Sequence, residues 1–165
     1  MEHVNHPQHY NARPDGLECI SIIRHYTFDI GCSIKYLWRA GLKTEMGKAN
    51  HEKEIEDLEK ALWYINDELN LGIDHDAFAG MIREDDENLQ DILDEMTGKL
   101  FGDVADYEYY ENHVARAMFL LLHVGLVKNG HVYRTKYAVQ NLREAIQEIQ
   151  CRIENLKQED KKEGS

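Results

Sequence analysis

Slid against itself by 84 residues without a gap, the chain aligns with itself through two helix-length stretches. Ile20 meets Val104, Tyr26 meets Tyr110, Ile30 meets Val114, and Gly41-Leu42 meets Gly125-Leu126. Farther on, Ile55 meets Val139, Leu58 meets Leu142, Ala61 meets Ala145, Leu62 meets Ile146, Ile65 meets Ile149, and Leu69 meets Ile153. Helical spacing makes some matches inevitable, but an ungapped register with a shared Gly-Leu pair exceeds what periodicity requires. The chain is thus expected to fold as two similar helical hairpins that share one core.

The local pattern agrees. Apolar residues at steps of three and four predict helices over about 17–27, 29–40 and 50–70, then about 103–127. After a turn at Lys128-Asn129-Gly130, a long helix is expected to run to about Lys157. Gly41 stands where a left-handed residue ends a helix. Residues 74–100 are acidic and less regular and read as two short helices split near Glu84 to Glu87. No useful length alternates with period two, so the fold class is all-α, a helical bundle of two pseudo-repeated hairpins. The chain divides into a first repeat with an N-terminal arm (1–72), an acidic helical connector (73–102), a degenerate second repeat (103–158) and a frayed tail (159–165).

Charge narrows the function. The formal net charge is −12, yet residues 1–43 hold five Lys/Arg against four Asp/Glu, while 44–112 hold five against 21. Wrapping a nucleic-acid backbone needs a basic surface, so polymeric DNA or RNA is not an expected partner. No apolar run has membrane-spanning length and no signal peptide opens the chain, so no membrane partner is expected and the cytoplasm is the expected location. Cys19, Cys32 and Cys151 lie far apart without a CxxC pair, which suits reduced, mostly core thiols.

Against this acidic background, Ile30 to Lys43 carries Lys35, Arg39 and Lys43 at i, i+4 and i+8 and no acid. Like charges stacked along one side of a helix repel, and a macrodipole accounts for about one of them. A ligand phosphate or an acidic neighbouring helix must offset the rest. The second repeat has Phe119 and His123 opposite Lys35 and Arg39, and Asn141 and Glu144 opposite Asp57 and Lys60. The apolar frame recurs and the charged set does not, so the first half is expected to carry the ligand chemistry.

The succession NHPQHY (Asn5 to Tyr10), GLECI (Gly16 to Ile20), IKYLWRAGLK (Ile34 to Lys43) and EDLEKALWYI (Glu56 to Ile65) resembles a small domain family found mainly in bacteriophages. One coliphage member is a nucleoside monophosphate kinase, and the likeness covers about residues 3–70. The resemblance implies a phage-type nucleotide-binding protein in the host cytoplasm, with Lys35, Arg39 and Lys43 on the phosphates. Asp57, Lys60 and Tyr64 form a second wall, and the arm bearing His6, His9 and Tyr10 forms a lid. His6, His9 and Tyr10 are ligand contacts or packing and capping residues; both readings stay open. Tyr64 or Trp38 is the candidate for stacking on a base, while aromatics at such spacing also suit the core; both readings stay open.

Three functions follow as expectations. The first is phosphoryl transfer to a nucleoside monophosphate, with Arg39 neutralising phosphate charge and Asp57 orienting the acceptor or a magnesium ion that arrives with the nucleotide. No GxxxxGK[ST] loop occurs, so the site differs from that of P-loop enzymes. The second is a sponge that sequesters a signalling nucleotide of host defence. The third is a metal-dependent all-α pyrophosphohydrolase using Glu52, Glu56, Glu59, Asp67 and Glu68, acids that otherwise form a solvated face. A kinase binds two nucleotides and the sequence offers anionic contacts for one, so a homo-oligomer paired through its apolar seams is expected to supply the other.

Overall fold

The computed structural model describes residue 13 and residues 15–41, 50–73, 87–102, 110–128 and 130–164. Its elements are α1 (Cys19–Ile23), α2 (Phe28–Arg39), α3 (Asn50–Ile73), α4 (Glu87–Phe101), α5 (Asn112–Leu122), the strands β1 (Gly125–Lys128) and β2 (His131–Arg134), and α6 (Ala138–Glu163). Helices α2 and α3 form one hairpin and α5 and α6 the other. Their apolar stripes meet in a single core that also takes in one side of α4.

The 84-residue register holds in the core. Ile30, Ile34, Leu37 and Trp38 of α2 are buried, and so are their counterparts Val114, Met118, Leu121 and Leu122 of α5. Leu58, Ala61, Ile65 and Leu69 of α3 are matched by Leu142, Ala145, Ile149 and Ile153 of α6, all buried. The contacts between the halves are reciprocal as well. Tyr26 Oη donates to the Leu122 carbonyl at 3.1 Å, while Trp38, the counterpart of Leu122, packs edge-on against Tyr110, the counterpart of Tyr26, at 6.0 Å. Likewise Glu68, late in α3, pairs with Arg134 just before α6. In return Arg152, late in α6, binds Glu54, early in α3, at 2.9 Å. The contacts of Tyr26 and Tyr110 are reciprocal in that register, whereas the two ion pairs share only one pair of counterparts, Glu68 and Arg152.

Local chemistry explains where the helices stop and start. Asp29 lies in the first turn of α2 and Arg39 in the last, each with the sign the macrodipole favours. Gly41 then turns the chain out of the helix at φ +82°. Glu111 caps α5 by accepting the backbone N–H of His113 and of Val114.

The structure departs from the sequence reading in four places. The expected helix over 103–127 gives way, from Gly125, to an antiparallel hairpin in which Leu126 faces Tyr133 and Val127 faces Val132. Strands of four residues are too short to display a period of two, although β-branched residues around an Asn-Gly step are a hairpin signal. Gly125 is required there, because a Cβ would collide with the Tyr133 carbonyl oxygen. Helix α1 ends at Ile23, well before Thr27. Helix α6 runs on to Glu163, past Lys157. Of the three thiols, Cys19 alone is buried; Cys32 is half-buried and Cys151 exposed. Among the described residues, no helix is long and apolar enough to cross a membrane.

Candidate functional site

Antiparallel packing of α2 on α3 lays the charged and aromatic residues of the two helices side by side in one groove. At its centre the rings of Tyr36 and Tyr64 stack, 5.9 Å between centroids and 13° between planes. Around Tyr36 stand three cations: Lys35 Nζ at 5.1 Å from the ring centre, the Arg39 guanidinium at 5.3 Å and Lys60 Nζ at 5.6 Å. Of the residues expected at the site, the structure thus brings together Lys35, Arg39, Lys60 and Tyr64. His6, His9, Tyr10 and Lys43 lie outside the described residues.

Asp57 sits beneath these cations and is fully buried. Its Oδ1 is 3.1 Å from Arg39 Nε and 3.6 Å from Lys53 Nζ. Lys60 binds Glu56 at 3.0 Å, and Lys53 reaches the same Glu56 oxygen at 3.2 Å. A carboxylate buried between two cations is a positioning group. It holds Arg39 in place, and leaving either partner of such a pair alone in a dry site is costly.

The opposite end of the groove is acidic. Asp29 is buried, and its carboxyl is pushed up to about 7, first by burial and then by hydrogen bonding with, and the charge of, Asp67 and Glu68. Glu68 is compensated by Arg134 and accepts a hydrogen bond from Thr27 Oγ1 at 3.3 Å. Between the two ends, Phe28 and Trp63 both stand edge-on to Tyr64, at 6.0 Å and 5.0 Å. They are 75% and 62% exposed. Burial raises the Tyr64 phenol, with contributions from Cys32, Tyr36 and Asp29 that Lys35 opposes.

The carboxylates considered for metal do not converge. Glu52 and Glu59 are exposed, and Glu56 and Glu68 are engaged with lysines and Arg134. Among the described residues, the one group of three whose ligand atoms lie within 4.8 Å of one another is His51, Asp160 and Glu163, where the start of α3 meets the end of α6. His51 is drawn there by Asp160, 2.6 Å away, which also raises its pKa.

One expectation about aromatics is corrected. Trp38 is 1% exposed and lies under Arg13, whose guanidinium is 5.8 Å from its ring, so it cannot stack on a ligand. The stacking residue missed in the sequence is Tyr36. A signal existed, since it falls three residues before Arg39, whereas Trp38 lies four residues after Ile34 on the core side. Lys53 was also missed, though it stands one turn before Asp57.

A family described as a protein of unknown function, DUF3310, matches residues 4–66, which hold α1, α2 and most of α3. No curated protein and no solved structure matches the chain.

Proposed function

We propose that the protein binds a nucleotide or nucleotide-derived small molecule in the α2/α3 groove. Its phosphate lies against Lys35, Arg39 and Lys60, and its base against Tyr64 and Phe28. The observation that carries this reading is local charge. Lys35, Arg39, Lys53 and Lys60 face two carboxylates, Glu56 and Asp57, within the cluster. Lys35 and Lys60 stand beside exposed aromatic faces, in a chain whose net charge is −12. A cation–π contact contributes only about 0.5–1 kcal/mol at an exposed site. It offsets little of the mutual repulsion of three cations on one ring, whereas an anion offsets it directly and planar aromatics suit a base. Lys35 forms no ion pair among the described residues, which leaves its ammonium available to a phosphate oxygen.

Binding without chemistry is favoured over transfer by the state of Asp57. Held between Arg39 and Lys53, it is poorly placed to take a proton from an acceptor. Sequestration of a signalling nucleotide in the cytoplasm of a phage-infected host is the form of this reading that needs no donor site. A second reading, phosphoryl transfer to a nucleoside monophosphate, draws support from Asp29. Its carboxyl changes charge near neutrality within electrostatic reach of Tyr64, as a general base must.

Incubation of the purified protein with mixed mono-, di-, tri- and cyclic nucleotides, then denaturation and chromatography, separates these outcomes. Recovery of an intact nucleotide, lost in Lys35→Ala, supports binding. Conversion of ATP and a monophosphate into two diphosphates supports transfer. Neither outcome, with no heat of binding in calorimetry, ends the nucleotide reading.

A further inference from the structure

Where the first turn of α3 meets the last turns of α6, His51 has a carboxylate at each ring nitrogen. Its Nδ1 lies 2.6 Å from Asp160 Oδ1 and its Nε2 3.7 Å from Glu159 Oε2. Glu163, one turn beyond Glu159, completes the group: one donor atom from each of His51, Asp160 and Glu163 falls within 4.8 Å of the other two. His51 and Asp160 are 109 positions apart in sequence, so the packing of α3 on α6 makes this cluster. A metal about 2.0–2.2 Å from nitrogen and oxygen donors spaces them about 3.4 Å apart in a tetrahedron. Small turns of these half-buried and exposed side chains reach that spacing.

An ordinary ion pair accounts for His51 and Asp160 and leaves two features over. The first is charge. Lys161 and Lys162 answer the macrodipole at the end of α6, yet Glu159, Asp160 and Glu163 still crowd an arc of about 100° around one imidazole, with Glu159 and Glu163 a repelling pair at i and i+4. The second is the far side of the ring. A histidine that binds a metal through one nitrogen keeps the other on a carboxylate, which fixes its tautomer. Glu159 stands at Nε2 in that role, and Arg152 Nη1, 3.9 Å from its Oε1, steadies it in turn. Arg152 is itself anchored on Glu54 at 2.9 Å, so the outer support of His51 is tied into the body of the bundle.

We propose that His51, Asp160 and Glu163 bind a divalent transition metal of the zinc class, with water in the fourth position and Glu159 holding the opposite nitrogen of His51. An imidazole donor selects zinc and its neighbours over magnesium or calcium, which take oxygen. The metal clips the start of α3 to the end of α6 and so joins the two hairpins. The site shares no residue with the groove around Tyr36 and stands apart from the nucleotide reading.

Calorimetric titration of the chelator-treated full-length chain with Zn²⁺ tests it, beside thermal unfolding with and without the metal. The wild type is expected to bind one equivalent that excess Mg²⁺ does not displace, and to unfold at a higher temperature with Zn²⁺ present, because the metal binds the folded chain. His51→Ala and Asp160→Asn each lose that equivalent and the thermal shift. Glu159→Gln keeps the equivalent at about tenfold lower affinity, the effect of removing an outer support. The triple variant His3→Ala/His6→Ala/His9→Ala keeps it in full, which separates the site from the histidines of the N-terminal arm. A wild type that binds no Zn²⁺ overturns the proposal. So does an equivalent that survives in His51→Ala or disappears in the triple variant. Asp160 is exposed, and Asp160→Asn remains decisive if His51→Ala fails to fold.

Discussion

The groove between α2 and α3 and its counterpart between α5 and α6 stand on the same buried apolar frame and differ in nearly every residue beside it. Where the first has Lys35, Tyr36, Arg39, Asp57, Lys60 and Tyr64, the second has Phe119, Leu120, His123, Asn141, Glu144 and Glu148. The second groove is put to structural use. Phe119 packs against Phe101 of α4, and His123 approaches Thr97 of the same helix. The His123 carbonyl accepts from Thr135 at 2.7 Å and from Asn141 at 3.4 Å. The frame repeats because each hairpin buries its stripe against the other, so a change in one is felt by both. The positions beside the stripe carry no such shared constraint. One set has been turned to holding α4 and the β-hairpin, and the other keeps Lys35, Arg39 and Lys60 around Tyr36.

The largest difference between the halves is expected at Arg39. In Arg39→Ala the buried Asp57 keeps only Lys53 of its two described partners, and breaking a buried pair costs about 3–5 kcal/mol. The counterpart change His123→Ala removes a half-buried side chain whose ring is 3.5 Å from Thr97 Oγ1, a loss of about 1 kcal/mol. Urea unfolding of the two variants measures both. Equal losses mean that Asp57 and Arg39 are not the electrostatic keystone of the first hairpin, and the contrast between the grooves fails at its base.

What could be read from the sequence follows the same division. The seam from Ile55 to Leu69 and its echo from Val139 to Ile153 announce themselves by spacing, because burial of a helix stripe is a periodic property. The cation ladder was visible too, since Lys35 and Arg39 stand out in an acidic chain. Burial of Asp57 was not visible. Whether a polar residue on a helix flank faces water depends on the neighbouring helix, here on Arg39 arriving from α2 and Lys53 from one turn away. The site's acidic end was hidden for the same reason, because Asp29 and Asp67 are 38 positions apart in sequence and adjacent only once α2 lies antiparallel to α3. The hairpin escaped because four-residue strands at the end of an apolar helix read as more helix.

Asp29 gives a second contrast. Its counterpart His113 is satisfied by Glu148 at 2.6 Å, whereas Asp29 is crowded by two acids. With its folded pKa near 7 and an ordinary value of 3.8, ionisation of Asp29 opposes folding. The penalty is absent below the ordinary value, grows as pH rises from about 4 toward 7 and is constant above. Asp29→Asn should therefore stabilise the protein by roughly 2 kcal/mol at pH 8 and leave it unchanged at pH 4. Thermal unfolding across that range checks the sign; a variant less stable than wild type at pH 8 means that the carboxylate is compensated.

The smallest expected effect on stability is the sharpest test of the comparison. Lys35→Phe installs the residue that the second groove has at the same place. Lys35 is half-buried and touches the Tyr36 ring, so a phenylalanine exchanges a cation–π contact for a ring–ring contact of similar worth, and the change should fall within about 0.5 kcal/mol. Its effect on a bound phosphate should be far larger, about tenfold in affinity, since a charge-assisted hydrogen bond contributes about 1.5–3 kcal/mol and nothing in the new side chain replaces it. Calorimetric titration with the proposed nucleotide ligand, set beside unfolding curves for the same two proteins, separates these quantities. A variant as stable as wild type that has lost its ligand shows the ladder to be separable from the frame. One that keeps its ligand returns Lys35 to the ordinary surface and leaves Lys60 and Arg39 to hold the phosphate alone.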